Sequence, residues 1–247
     1  MSDLEGDSAP IDGANALIRN LQRLSPLGPD DRLALEALVR SAEWIAPGAR
    51  IANEGEPDGA TRPLLDGLAC RYKDFRDGRR QVIALLLPGD ICVGYGHPPG
   101  RMDHGVRALT RVRIATIPAH RFAELVDRHP AIAGGFRKAA LIEQAILRAW
   151  VVNLGQRDAR ERMAHLFCEL ERRMKYHGLL LSDGGFALPL TQQELGAALG
   201  LTSVHVNRVL QRLRNEALID LDHGFLRIHD LRRLQSLADF DPTYLGI

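Results

Sequence analysis

The chain has 247 residues, of which 45% are hydrophobic and 26% charged, and its formal net charge is +1. That size holds one large domain or two ordinary ones with a real apolar core. The longest apolar runs, such as Val82 to Leu87, fall far short of the roughly 20 residues that cross a bilayer, which excludes a helical membrane protein. The three cysteines, Cys70, Cys92 and Cys168, show no CxxC spacing and argue against a disulfide framework or a zinc site. There is no Gly-rich phosphate loop, HExxH or nucleophile elbow, and acids such as Glu143 and Glu161 read as solvated helix positions, so no enzyme is expected. Met1 to Pro10 is acidic and rich in small residues without an apolar leader, so residues 1–13 are expected to form a disordered tail and the protein to be cytoplasmic.

From Ala14 to Arg40, apolar residues recur at helical spacing, broken at Ser25-Pro26 and Gly28-Pro29, which predicts two short helices. From Glu43 to Pro118, turn signals recur about every ten residues: Pro47-Gly48, Gly55-Glu56-Pro57, Asp66-Gly67, Asp77-Gly78 and Pro88-Gly89-Asp90. Such regular punctuation predicts an antiparallel β-roll or barrel. Ala119 to Asn153 returns to helix. There Ala139, Ile142, Ile146 and Ala149 follow a 3-4-3 spacing, and Leu141, Ala145 and Val152 widen the apolar face. One face is expected against the chain's own roll and another against a second subunit. Asn153-Leu154-Gly155-Gln156 reads as a hinge, because glycine weakens a helix. A new helix is expected from Arg157 to about Lys175, then a loop at Gly184-Gly185, then helix, helix, hairpin and helix. The resulting partition is an α+β chain: a tail at 1–13, a β-roll with flanking helices at 14–128, a dimerisation helix at 129–154 and a winged helix-turn-helix at 155–247.

Thr191 with Glu194 forms a capping box that starts a helix, and Leu195, Ala198 and Leu199 make its apolar face. Gly200 is placed to leave that helix in a left-handed turn, and Thr202 to cap the next. The second helix buries Val206, Val209, Leu210 and Leu213 and presents Ser203, Val204, His205, Asn207, Arg208, Gln211 and Arg212 on the other side. Arginine reads guanine bidentately, asparagine reads adenine, and valine can touch a thymine methyl, so this face suits a major groove. From Ser203 to Arg214 there are three arginines and no acid. Asp222-His223-Gly224 within Leu218 to Ile228 predicts a hairpin wing, with Arg227 as a phosphate contact. The rival reading is a scaffold whose two helices only pack.

This order of parts resembles the Crp/Fnr family over nearly the whole chain. Gly67 to Lys73, Asp77 to Gln81 and Leu87-Pro-Gly-Asp90 are similar to its β-roll; Asn153-Leu-Gly155 with Arg157 to Arg162 to its linker; Leu201-Thr202 with His205-Val-Asn-Arg208 to the recognition helix of one large branch. The resemblance implies a homodimer joined along the long helix, two-fold-symmetric promoter DNA, and contact with RNA polymerase. It places Arg208 on a guanine and Thr191 with Gln192 near phosphates; Thr202 and Arg212 are further candidate phosphate contacts. Val204 stands where the best-known members carry a glutamate, which implies a different operator.

Cyclic-AMP-responsive members carry a glutamate turn after Gly-Asp and an Arg-Ser or Arg-Thr pair about a dozen residues on. Here Ile91-Cys-Val-Gly-Tyr-Gly96 follows without glutamate, and Arg101 stands near Asp103. Gly94, Tyr95 and Arg101 are the candidate effector contacts. An iron-sulfur cluster lacks its cysteines. Haem would draw on Cys92, His97, His104 or His120, and redox sensing on Cys70 or Cys92. No cofactor is predicted; a small-molecule effector is left open.

Overall fold

The computed structural model describes residues 15–57, 59–94 and 100–246. The expected tail lies outside them, as do Tyr95 and His97. Two short helices come first, α1 (Ala16–Leu24) and α2 (Pro29–Val39), where the apolar spacing predicted them. Asn15 caps α1 by accepting from the Ile18 amide, and Pro29 opens α2, where a missing N–H costs nothing.

The roll then forms from β1 (Glu43–Ile45), β2 (Arg50–Ala52), β3 (Ala60–Asp66), β4 (Ala69–Asp74), β5 (Arg80–Leu86), β6 (Ile91–Val93), β7 (Gly105–Ala108), β8 (Val112–Ile114) and β9 (Ile117–Pro118). One sheet runs β1-β8-β3-β6 with β9 also on β3; the other runs β2-β7-β4-β5, and every pairing is antiparallel. Leu64, Ala84, Leu86, Val106, Val112 and Ile114 fill the space between the sheets. The turn signals thus mark real strand ends.

Helix α3 (Ala119–Arg128) leads into α4 (Pro130–Gln156), the longest helix at 27 residues. The expected hinge at Asn153 to Gln156 is instead helical, and α4 runs two residues past the expected boundary at 154. The chain breaks at Arg157, whose ψ of 149° is extended, before Asp158 caps α5 (Ala159–His177) in a box with Glu161. Packing explains the shift. Asn153 is buried, and its side-chain amide donates to the Arg162 carbonyl at 3.3 Å. Such contacts outweigh a glycine's helix cost of about 1 kcal/mol.

A three-stranded sheet follows, with β10 (Phe186–Ala187) on β12 (Phe225–Ile228) and β12 on β11 (Ile219–Asp222). Around it lie α6 (Gln192–Leu199), α7 (Ser203–Asn215), α8 (Leu231–Ala238) and a closing 3₁₀ turn, Pro242–Leu245. The hairpin turns at His223 and Gly224 with φ of +47° and +78°, the two positive values a tight I′ turn needs. Among the described residues no helix is long and apolar enough to cross a membrane.

The two halves share an apolar cluster in which Cys70, Tyr72 and Val82 of the roll join Leu195, Ala198 and Leu199 of α6. Gln81 donates to the Ala198 carbonyl at 3.4 Å, and Arg107 stands 3.9 Å from Glu194. The deeper junction is polar. Glu169 of α5, fully buried, accepts from the Trp150 indole of α4 at 3.1 Å and from the Tyr244 hydroxyl of the closing turn at 2.7 Å. One turn on, Arg173 reaches Asp90 of the roll at 2.7 Å and the Leu85 carbonyl at 3.1 Å. Burial raises the Glu169 carboxyl, and Arg173 opposes that shift.

Candidate nucleic-acid interface

The helix pair from Thr191 to Asn215 is built by local rules. Thr191 Oγ1 accepts from the Glu194 amide at 3.1 Å, and the Glu194 carboxylate accepts from the Thr191 amide at 2.9 Å, so two free donors of α6 are satisfied reciprocally. Gly200 leaves α6 at φ +67°, a left-handed conformation in which a side chain would be strained. Gly196 adds a second constraint, since a Cβ there would lie 2.5 Å from the Leu201 carbonyl. The turn can therefore pass tightly against α6. Thr202 Oγ1 then accepts from the His205 amide at 3.3 Å and starts α7.

Val206, Val209, Leu210 and Leu213 are buried, which fixes the rotation of α7. The other side is exposed at Ser203, Val204, His205, Asn207, Arg208, Gln211 and Arg212. Val204 is 71% exposed, an apolar group held in water at the front of the helix. The structure thus brings the five base-reading candidates (Ser203, Val204, His205, Asn207, Arg208) to one open face. Thr191, Gln192 and Thr202 are exposed at the two helix N-termini, where backbone N–H groups favour anions.

The three arginines are not alike. Arg212 pairs with Glu216 at 3.2 Å, and Arg214 donates to the Leu221 carbonyl. Arg208 has no carboxylate or carbonyl partner among the described residues. The acid that tempers Arg212 lies just beyond Arg214, so counting charges to Arg214 overstated the free positive charge. On the wing, Arg227 is paired with Asp183, and both are exposed.

On α4, Ala139, Ile142 and Ile146 are half-buried and line a cavity with residues of α1, β5 and α5, and Gly246 lies against Ile142. Ala149 is also half-buried. The side left open carries Leu141, Val151 and Val152, at 62%, 72% and 52% exposure. The 3-4-3 set thus lies largely on the face turned to the chain's own elements.

Two of the candidate effector residues are described, and each is held by the roll's own backbone. Gly94 is pressed against β3, and a Cβ on it would stand 2.7 Å from the Thr61 backbone. Arg101 is exposed and donates to the Gly55 carbonyl at 2.6 Å. Tyr95 lies outside the described residues. All three cysteines are free and buried, and burial pushes each thiol up to about 12, opposite to what a redox sensor needs. Buried Cys92 faces Arg71, and His104 sits 2.6 Å from Asp103, while His120 is exposed on α3. Among the described residues no group of three or more His, Cys, Asp or Glu side chains is placed to hold a metal ion.

Two family models match. Residues 161–237 match the Crp-like helix-turn-helix domain, and residues 42–129 match the cyclic nucleotide-binding domain. The transcriptional activator protein FnrL of Cereibacter sphaeroides is 31% identical over 196 residues, covering 78% of this chain and 77% of the relative. The nitrogen fixation regulation protein FixK of Bradyrhizobium diazoefficiens is 28% identical over 225 residues, covering 91% of this chain and 93% of FixK. Among solved structures, FixK2 from Bradyrhizobium japonicum superposes with a TM-score of 0.70 at 24% identity, over 80% of this chain and 96% of that one, which concerns the fold. With its β-roll, long helix and Crp-like reading head, the chain belongs to the Crp/Fnr family of DNA-binding transcription regulators.

Proposed function

We propose that the protein acts as a homodimer on a two-fold-symmetric promoter site, placing one α7 in each of two major-groove segments about 34 Å apart. The observation that carries this reading is the α7 face itself: polar, exposed, and led by an arginine with no carboxylate or carbonyl partner among the described residues. Arg208 reads guanine, Asn207 adenine, and Val204, His205 and Ser203 set the rest of the half-site. Gln192, Thr191 and Thr202 fix the register on phosphates, with Arg212 and Arg227 reaching the backbone once Glu216 and Asp183 release them.

Dimerisation uses the open side of α4, where Leu141, Val151 and Val152 leave apolar surface in water, extended by Ala149 and the rim of the 3-4-3 set. The working parts are the roll at 14–128, the long helix from 129 to about 156, and the reading domain beyond. The protein works by binding rather than catalysis, in the cytoplasm, and contacts RNA polymerase from the bound site.

In vitro selection of random duplex DNA by the purified full-length protein tests this. The expected product is a palindrome with half-sites about 10 bp apart, bound two chains per duplex, with affinity falling steeply as salt rises. An asymmetric product, or none at low salt, contradicts it.

A further inference from the structure

The interior of the roll beside β6 is occupied by one of the chain's own side chains. Arg71 lies in the middle of β4, paired across to Ala84 of β5 and Val106 of β7, and its side chain is only 3% exposed. A charge that deep needs partners on every nitrogen. Nη2 donates to the Ile91 carbonyl at 2.6 Å, and Nε reaches the Cys92 carbonyl at 3.4 Å. Nη1 pairs with Glu143 of α4, whose carboxylate sits at the rim, one-third exposed.

Ile91 and Cys92 directly follow Gly89-Asp90, so this guanidinium lies where a nucleotide cradle would open after the Gly-Asp turn. The rest of the described wall does not suit a nucleotide. Gly94 is closed off by Thr61, and Arg101 is engaged with Gly55. Another buried cation, Arg173, is held by Asp90 at 2.7 Å and Glu169 at 3.6 Å. A cyclic phosphate entering here would compete with Glu143 for Arg71.

We propose that the Arg71–Glu143 ion pair stands in the place of a cyclic nucleotide, tying the roll to α4 from within, so that the protein binds its DNA without one. The structural half of this stands on the pair alone; its consequence for DNA rests on the reading of the function above.

The test uses the full-length protein. Calorimetric titration with cyclic AMP and cyclic GMP is expected to give no binding heat and no change in melting temperature. A nucleotide-induced stabilisation of several degrees would overturn the proposal. In parallel, Glu143→Leu strands a buried guanidinium and is expected to melt several degrees lower. Arg71→Met with Glu143→Leu, an apolar pair of similar bulk, is expected to recover most of that loss. A Glu143→Leu protein that melts with the wild type would show that the pair couples nothing. Selected DNA bound equally well with and without either nucleotide supports the proposal, and a tenfold gain on adding one contradicts it. If the wild type binds no DNA at all, the functional reading fails, while the calorimetry still decides what the roll holds.

Discussion

Arg208 on α7 and Arg173 on α5 are the same side chain in opposite surroundings. Arg208 stands in solvent without a carboxylate or carbonyl partner among the described residues, on a face whose other members are also exposed. Arg173 is 6% exposed and holds Asp90, Glu169 and the Leu85 carbonyl at once, joining the roll to the reading domain. A hydrated, unpaired cation can meet an external anion without giving up a partner. A buried, paired one is committed, because removing either side strands a charge in a poor dielectric. The α7 face is therefore available for recognition, and the junction of α4, α5 and the closing turn for architecture.

The comparison breaks most visibly at the junction. Arg173→Ala leaves Glu169 with only its Trp150 and Tyr244 donors and takes the ion-pair partner from Asp90, and the expected cost is about 3–5 kcal/mol of stability. Urea midpoints would read it; a loss under about 1 kcal/mol would mean that the junction is not the structural half of the contrast.

A second way to sharpen it is pH. His165 is buried between Phe240 and Tyr244, and desolvation first, then Arg157, lowers its pKa to about 4 from 6.5. The folded pKa lies below the unfolded one, so the unfolded chain binds more protons between these values. Stability is then complete above about 6.5 and falls as pH drops toward 4, by at most about 3 kcal/mol for this group. His177, also lowered to about 4 by burial, adds to the same window. His165→Phe should flatten part of the decline measured between pH 7.5 and 5, and an unchanged slope would place the sensitivity elsewhere.

The smallest effects belong to surface pairs. Arg227→Ala breaks an exposed bridge to Asp183 and should change stability by less than about 1 kcal/mol. Its expected signature is a modest, sequence-independent loss of DNA affinity with a shallower salt dependence. A loss confined to one base position would make Arg227 a reader of sequence.

Much of the reading head was legible because its rules are local. The Thr191–Glu194 box, Gly200, the Thr202 cap and the four buried positions of α7 all act within one or two helical turns. The junction was not legible, because Arg173–Asp90, Arg71–Glu143 and Tyr244–Glu169 join residues about 70 to 85 positions apart, and no spacing announces them. Glu143 read as a solvated acid for that reason. The hinge was misplaced by a glycine whose cost the buried Asn153 and the held Trp150 override. β10, two residues long, was too short to leave a pattern. The 3-4-3 set on α4 marked an apolar helix correctly but not which neighbour each face meets.

Arg208→Ala tests the central claim most directly, with affinity for selected DNA and melting temperature measured on the same preparation. The account predicts a loss of about 1–3 kcal/mol per half-site, with specificity relaxed at one base pair, and a melting temperature within about a degree of wild type. Unchanged affinity in a gel-shift titration, with the fold intact, would contradict the assignment of α7 as the element that reads DNA.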